Sequence, residues 1–137
     1  MDGFRFVMPY SVHVADVNYG GHVANSAVLN FFQDGRIRYL AELGSFSEME
    51  IGDGCGIILP EAHVYYRAEM FLHDDLVIGV RASEVKRSAF TLEYRIERDG
   101  VLTVEGSSNL VAFNYQTRKV ARLPEAFRVA LVGFEGV

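Results

Sequence analysis

A long apolar segment, residues 22–43, constrains the fold more than any other part of this 137-residue chain. It contains no proline, and its apolar side chains recur around most of the circumference of a helix. We therefore predict one helix from His22 to Leu43, buried on more than one side. Gly44 is predicted to end it. Gly35, in its middle, is predicted to mark a close approach by another backbone, since glycine disfavours a helix interior.

Strands are predicted on both sides of this helix. Residues 4–14 alternate apolar and polar side chains, which indicates a half-buried strand. Pro9 favours an edge position for it, because proline has no N–H to donate. Residues 45–56 are predicted to be irregular, and four strands follow, the last from Leu102 to Asn114. Asp99-Gly100 indicates a hairpin turn before that last strand, and a short helix is predicted over residues 124–132. One sheet covers one side of a helix, so either the sheet curls around it or a second subunit covers the rest.

The composition is that of one globular domain, residues 1–137. Half of the residues are hydrophobic, enough for a sizeable core. Thirteen basic and eighteen acidic side chains give a net charge of −5, whereas nucleic-acid-binding domains usually carry a basic excess. The single cysteine, Cys55, allows no internal disulfide and no cysteine-rich metal site. Neither a metal nor nucleic acid is expected. No signal peptide or membrane span is apparent, so we expect a cytoplasmic protein.

The segment from Asp16 to Asn25 is the strongest candidate for a functional site. An acid follows the first strand, and Gly20 and Gly21 lead directly into the helix predicted to begin at His22. Glycine lets a backbone approach a ligand closely, and a helix N-terminus carries unpaired N–H groups and positive potential. These features suit the oxyanion of an acyl transfer. A neighbouring carboxylate can act as nucleophile or as general base, so the pattern indicates hydrolysis of an activated acyl group.

The same segment resembles the 4-hydroxybenzoyl-CoA thioesterase family. The similarity lies in the pattern Asp16-x-Asn18-x-x-Gly21-His22-Val23-x-Asn25, followed by Leu29, Phe31, Phe32 and Arg36 at the family's offsets. Weaker similarity continues through residues 63–66, 73–75, 87–88 and 122–124. The resemblance implies the hotdog fold, an α+β fold in which an antiparallel five-stranded sheet wraps around one long central helix.

The resemblance also implies an activity, acyl-CoA thioester hydrolysis. In that case Asp16 is the nucleophile or the general base, and the backbone N–H of Val23 donates to the thioester oxygen. The residues implied in substrate binding are Gly20, Gly21, His22, Asn25, Arg87 and Ser88. Coenzyme A enters as part of the substrate, and no separate cofactor is expected. Family members are dimers or tetramers with active sites between subunits, so a homo-oligomer is expected here.

Several positions depart from the family pattern, among them Ala24, which replaces a frequent asparagine. Asn18 replaces a frequent second aspartate, which does not affect the reaction if Asp16 performs it. Gln33 stands where many relatives have glutamate, which removes the main competitor of Asp16 as the catalytic acid. The residues alone leave a structural alternative open, since aspartate commonly caps a turn or a helix.

Two other functions remain open at this point. Enoyl-CoA hydratases and dehydratases of the hotdog fold use an Asp-x-Asn-Pro-x-His segment. Here Asp16 and Asn18 match it, but no proline follows, and His22 falls one residue late. The other alternative is a non-catalytic acyl-CoA-binding module. The acyl group, and whether it is carried by coenzyme A or by an acyl-carrier protein, are left open.

Overall fold

The computed structural model describes residues 1–136, which form a six-stranded antiparallel sheet and two helices. In chain order the elements are β1 (Phe6–Ser11), α1 (Asn25–Leu43), β2 (Cys55–Tyr66), β3 (Asp75–Val85), β4 (Ala89–Arg98), β5 (Val101–Asn114), β6 (Lys119–Val120) and α2 (Glu125–Glu135). The strand order is β1-β3-β4-β5-β2, with the short β6 beside β5. This confirms the predicted α+β architecture of an antiparallel sheet on one long helix, with a short sixth strand added.

Local turn and edge signals explain much of the sheet. β1 pairs only with β3 and forms one edge, as Pro9 predicted. Asp99 and Gly100 have φ values of 50° and 78°, as the tight hairpin turn between β4 and β5 requires. β2 begins at Cys55, within the stretch predicted to be irregular. Its register against β5 shifts between Ile58 and Glu61, and this irregularity accommodates Pro60.

Helix α1 is shorter and less buried than predicted. It begins at Asn25 instead of His22, because residues 22 and 23 form backbone bridges with other segments. The buried residues recur in adjacent pairs four apart: Ala27, Val28, Phe31, Phe32, Gly35, Arg36, Tyr39 and Leu40. Leu29 and Ile37 are 49% and 47% exposed. The prediction of burial on more than one side is therefore wrong for a single protomer, in which one face packs on the sheet.

Gly35 lies where α1 crosses β3. A Cβ at this position would lie 3.0 Å from Val80 Cγ2 and 3.2 Å from Ile78 Cγ2. The close neighbours are thus side chains of the sheet, and not the backbone that the sequence led us to expect. The helix can approach the strand this closely only because residue 35 lacks a side chain.

We predict that Gly35→Val destabilises the fold by about 1–3 kcal/mol, because added methyl groups overpack the contact with Val80 and Ile78. The measurement is urea unfolding followed by circular dichroism. Gly133→Val is the matched control, since a Cβ at the exposed Gly133 of α2 meets nothing within 4 Å. Equal midpoints for the two variants would contradict this account of the α1–β3 contact.

Candidate active site

A cavity of about 500 Å³ opens at the N-terminal end of α1. Three segments line it, namely the hairpin before α1, the start of α1 and the chain that leaves β2. The lining residues are Asn18, His22, Val23, Asn25, Val28, Tyr66, Arg67, Ala68, Glu69 and Met70. The structure thus brings together part of the segment singled out by sequence, and adds residues 66–70.

The hairpin before α1 places His22 and Asn18 at this cavity. The N–H of Asn18 donates to the His22 carbonyl at 3.0 Å, and the N–H of Gly21 donates to the Asn18 carbonyl at 3.0 Å. Gly21 has φ +77°, which favours glycine, while a Cβ on Gly20 would lie 2.9 Å from His22 Cδ2. The two glycines, expected to contact substrate, shape the turn and make room for the imidazole.

Backbone hydrogen bonds fix where the helix starts. The N–H of Ala24 donates to the Asp16 carbonyl at 2.8 Å, and the N–H of Val23 donates to the Met70 carbonyl at 2.8 Å. The expectation of a free Val23 N–H at the helix start is therefore wrong, because strand-like pairing with Met70 uses it. Within residues 1–136, the N–H groups of Asn25 and Ser26 have no acceptor, and Ala24 supplies no side-chain cap. Asn25 is the one of the two that lines the cavity.

Asp16 holds the turn together. Its Oδ2 accepts a hydrogen bond from the Tyr10 hydroxyl at 2.7 Å and one from the backbone N–H of His13 at 2.9 Å. The side chain is 14% exposed and is absent from the lining of the cavity described above. Burial, together with the hydrogen bond to Asp16, raises the pKa of Tyr10, so this hydroxyl remains a donor. These contacts fit the capping role that the sequence left open for Asp16.

Asn18 occupies the position at which relatives often carry a second aspartate, and its side chain reaches the cavity that Asp16 does not line. Its Oδ1 accepts the Gly20 N–H at 3.1 Å. The replacement of aspartate by Asn18 is therefore a change in one of the residues that line the cavity. An amide at this position can orient a substrate or a water, but it cannot accept a proton as a carboxylate does.

His22 lies beside a carboxylate at this cavity. Its Nδ1 lies 3.3 Å from Oε1 of Glu69, and its ring packs on Phe71 at a centroid distance of 5.0 Å. Neither ring nitrogen of His22 makes a hydrogen bond with residues 1–136, although Nδ1 faces the Glu69 carboxylate. A carboxylate beside Nδ1 favours the tautomer with the proton on that nitrogen, which leaves Nε2 as an acceptor. Local sequence gave no sign of Glu69, which lies 47 positions after His22.

The predicted substrate-binding residues Arg87 and Ser88 lie elsewhere. Arg87 lines a basic cavity of about 520 Å³ together with Lys86, Arg122 and Arg128. Ser88 belongs to the same turn between β3 and β4, but is not among the lining residues. β3 starts near the helix cavity and ends at this turn, a separation of about 33 Å along the strand at 3.3 Å per residue. One protomer therefore keeps the two cavities apart.

Residues 1–136 offer neither a membrane-spanning helix nor a metal-binding cluster. No helix in this part of the chain is long and apolar enough to cross a membrane. Its histidine, cysteine, aspartate and glutamate side chains form no group of three or more that could hold a metal ion. The one cysteine, Cys55, is buried, and this burial raises the pKa of its thiol.

Comparisons with known proteins agree with this architecture. Residues 12–131 match the model of the thioesterase-like superfamily. A curated relative, the acyl-CoA thioesterase YbgC of Haemophilus influenzae, is 23% identical over 94% of each chain. A thioesterase from Thermus thermophilus, solved with coenzyme A and zinc, has a TM-score of 0.88 and 27% identity over 100% of this chain and 98% of its own. A 1,4-dihydroxy-2-naphthoyl-CoA thioesterase from Synechocystis has a TM-score of 0.83 and 21% identity, over 92% and 94% of the two chains.

We predict that Asp16→Ala destabilises the protein by about 1–3 kcal/mol, because it leaves the Tyr10 hydroxyl and the His13 N–H without their acceptor. Denaturant unfolding measures this loss. Tyr10→Phe is the control, since it removes one donor and leaves the His13 hydrogen bond in place. An Asp16→Ala variant as stable as the wild type would show that Asp16 does not hold the turn.

Proposed function

The chain belongs to the thioesterase-like superfamily, and we propose that it hydrolyses acyl-CoA thioesters in the cavity at the N-terminal end of α1. One observation carries the proposal. Asn25, whose N–H is unpaired, and the His22–Glu69 pair line the same cavity, so one cavity holds residues that can supply an electrophilic donor and a base. The acyl-CoA thioesterase from Haemophilus influenzae and the coenzyme A complex from Thermus thermophilus support this substrate class.

The Asn25 N–H is the proposed oxyanion donor. It points along the helix axis at the end where the macrodipole is positive, so negative charge on the thioester oxygen is stabilised there. Loss of one such donor costs roughly 2.7–4 kcal/mol of transition-state stabilisation in enzymes where it has been measured. The Tyr66 hydroxyl donates to the Asn25 carbonyl at 3.0 Å and so ties β2 to this first turn of the helix.

His22 is the proposed general base. A water molecule attacks the thioester carbonyl carbon, and its proton passes to Nε2 of His22 as the tetrahedral oxyanion forms. The oxyanion then collapses, the carbon–sulfur bond breaks, and the imidazolium returns the proton to the leaving thiolate. Glu69 holds the imidazole in the required tautomer and stabilises the imidazolium between the two steps.

Asp16 is the competing candidate for the base or nucleophile. Its Oδ2 accepts two hydrogen bonds, while Oδ1 accepts none in the described part of the chain. That free oxygen is the specific observation in favour of direct catalysis by Asp16, as the family resemblance implies. In our proposal Asp16 is a positioning residue, since its carbonyl holds the Ala24 N–H and thereby the start of the helix.

We further propose that the active protein is a homo-oligomer joined along β2. This strand has a hydrogen-bonded neighbour on one side only, so its other edge can pair with a second copy. Leu59, Tyr65 and Tyr66 on β2 are partly exposed, as are Leu29 and Ile37 on α1. A second protomer on this side would cover the face of α1 that the sheet leaves open.

Such an assembly also gives a role to the basic cavity. The cavity around Arg87, Arg122 and Arg128 is suited to the phosphates of coenzyme A. It lies at the far end of β3 from the helix cavity of its own protomer, so we propose that it serves the active site of a neighbouring subunit.

We predict that His22→Asn lowers kcat on acyl-CoA substrates by about 10²–10⁴-fold, the usual contribution of a positioned base. The measurement is thiol release across short, long and aromatic acyl-CoAs. Glu69→Gln should lower kcat less, with KM little changed.

Asp16→Asn is the matched variant, because its amide oxygen can still accept the turn's hydrogen bonds. It should retain most of the wild-type kcat. If Asp16→Asn abolishes hydrolysis while His22→Asn leaves it intact, Asp16 is the catalytic residue and the role given to His22 is wrong. Loss of enoyl absorbance from crotonyl-CoA without thiol release would indicate a hydratase instead.

We also predict that subunits of two weak variants complement each other. In the proposed assembly each site takes His22 from one subunit and Arg87 from the other. When His22→Asn and Arg87→Glu chains are refolded together and pair at random into dimers, about a quarter of all sites should therefore contain both residues intact. Thiol release by the mixture should then exceed that of either variant alone. No recovery in mixed dimers, verified by mass spectrometry, would contradict the shared site.

A further inference from the structure

A second cavity continues the line of the first along α1 and β2. It encloses about 210 Å³ and is lined by Leu29, Asn30, Phe32, Gln33, Arg36, Leu59, Ala62 and Ser108. The first cavity is bounded by Asn25 and Val28 of α1 and by Tyr66 of β2. Along the helix the lining thus proceeds from residue 25 to residue 36, and along β2 from residue 66 back to residue 59. Because the two linings follow each other along the same helix and strand, we treat the two cavities as one groove, which we call the α1–β2 groove.

The far end of the α1–β2 groove is polar. Arg36 is 6% exposed, its Nε donates to Glu48 at 2.8 Å and its Nη1 donates to the Tyr94 hydroxyl at 3.0 Å. The Tyr94 hydroxyl in turn lies 2.6 Å from Ser108 Oγ. Nη2 of Arg36 has no partner among residues 1–136, yet it is not one of their fully buried unsatisfied atoms. The N–H donors of Nη2 are therefore not sealed off by the protein, on a side chain that lines this cavity.

The middle of the groove is apolar. Val28 and Leu29 of α1 and Ala62 of β2 line it, and the ring of Phe32 stacks on Tyr94 at a centroid distance of 4.3 Å. Gly106 makes room for this ring, since a Cβ there would lie 2.7 Å from Phe32 Cε2. An occupant must therefore be apolar in its middle and polar at its far end.

We propose that the α1–β2 groove binds the acyl group of the substrate, and that it selects medium-chain acyl groups with a neutral oxygen, such as a hydroxyl, remote from the thioester. This inference rests on the proposed thioesterase function and names its substrate class. Eleven residues of helix separate Asn25 from Arg36, about 16 Å at 1.5 Å per residue. The Arg36 side chain leans back toward the helix N-terminus, which shortens the gap.

A hydroxyl suits the polar end better than a carboxylate does. Glu48 already neutralises Arg36, so a second carboxylate would meet a like charge instead of a free cation. A hydroxyl can accept from Nη2 of Arg36 and can exchange hydrogen bonds with the amides of Asn30 and Gln33. A plain methyl end would cover the Nη2 donors of Arg36 and leave them without a hydrogen-bond partner, which is unfavourable.

The test compares decanoyl-CoA, 10-hydroxydecanoyl-CoA and the ω-carboxylated sebacyl-CoA. We expect kcat/KM to be about fivefold higher for the hydroxylated substrate than for decanoyl-CoA, the effect of one hydrogen bond, and lowest for sebacyl-CoA. Calorimetry with the uncleavable S-decyl and S-(10-hydroxydecyl) thioethers of coenzyme A measures the same preference without turnover. Equal affinities for the two thioethers, or the highest kcat/KM for sebacyl-CoA, overturn the proposal. A retained preference in binding without hydrolysis of any thioester would overturn the thioesterase function alone.

Ala62→Phe tests the path of the acyl group, because it fills the groove from the exposed strand. It should lower kcat/KM for decanoyl-CoA and 10-hydroxydecanoyl-CoA by at least about tenfold and kcat/KM for acetyl-CoA much less, as expected for a blocked apolar subsite. His63→Phe is the matched control, since the neighbouring residue points to the opposite face of β2. If the two variants behave alike on all three substrates, the acyl group does not follow the groove.

Discussion

The start of α1 depends on a few backbone hydrogen bonds made by the residues just before it. Ala24 donates to Asp16 and Val23 to Met70, so these two N–H groups are used, and the first unpaired one belongs to Asn25. The same pairing sets Met70 and its neighbour Glu69 against the hairpin that carries His22. The backbone hydrogen bonds end at Ala24, and this places the helix N-terminus, the His22 imidazole and the Glu69 carboxylate at one cavity. The chemistry that we propose follows from that placement more than from any single side chain.

A single protomer leaves one side of α1 and one edge of β2 uncovered. The sheet covers the face of α1 that carries Phe31, Phe32 and Tyr39, whereas Leu29 and Ile37 stay exposed beside the unpaired edge of β2. The α1–β2 groove runs along this open side. In the proposed assembly a neighbouring copy would close the groove and bring a basic cavity toward it. Acyl selection and subunit pairing would then depend on the same surface.

The sequence predicted the architecture well and the site in part. Period-two strands, the Asp99-Gly100 turn and the long helix sufficed for an antiparallel sheet on a helix, because these signals are local. The helix start was placed three residues early, since nothing in the residues themselves shows that Val23 pairs with Met70 as in a strand. The catalytic role of Asp16 stays a prediction, and its bonds to Tyr10 and His13 could not be predicted because they exist only once the turn is folded. The positions of Glu69 and of the Nη2 donors of Arg36 at their cavities depend on tertiary contacts, which no spacing in the sequence indicates.

The most direct test replaces single backbone N–H groups by ester oxygens in synthetic chains. At residue 25 this change removes the proposed oxyanion donor, and kcat for acyl-CoA hydrolysis should fall by about 10²–10³-fold while the fold persists. At residue 23 it removes the hydrogen bond to Met70, so stability should fall while kcat changes much less. A large loss of kcat at residue 23 with none at residue 25 would contradict our account of the site.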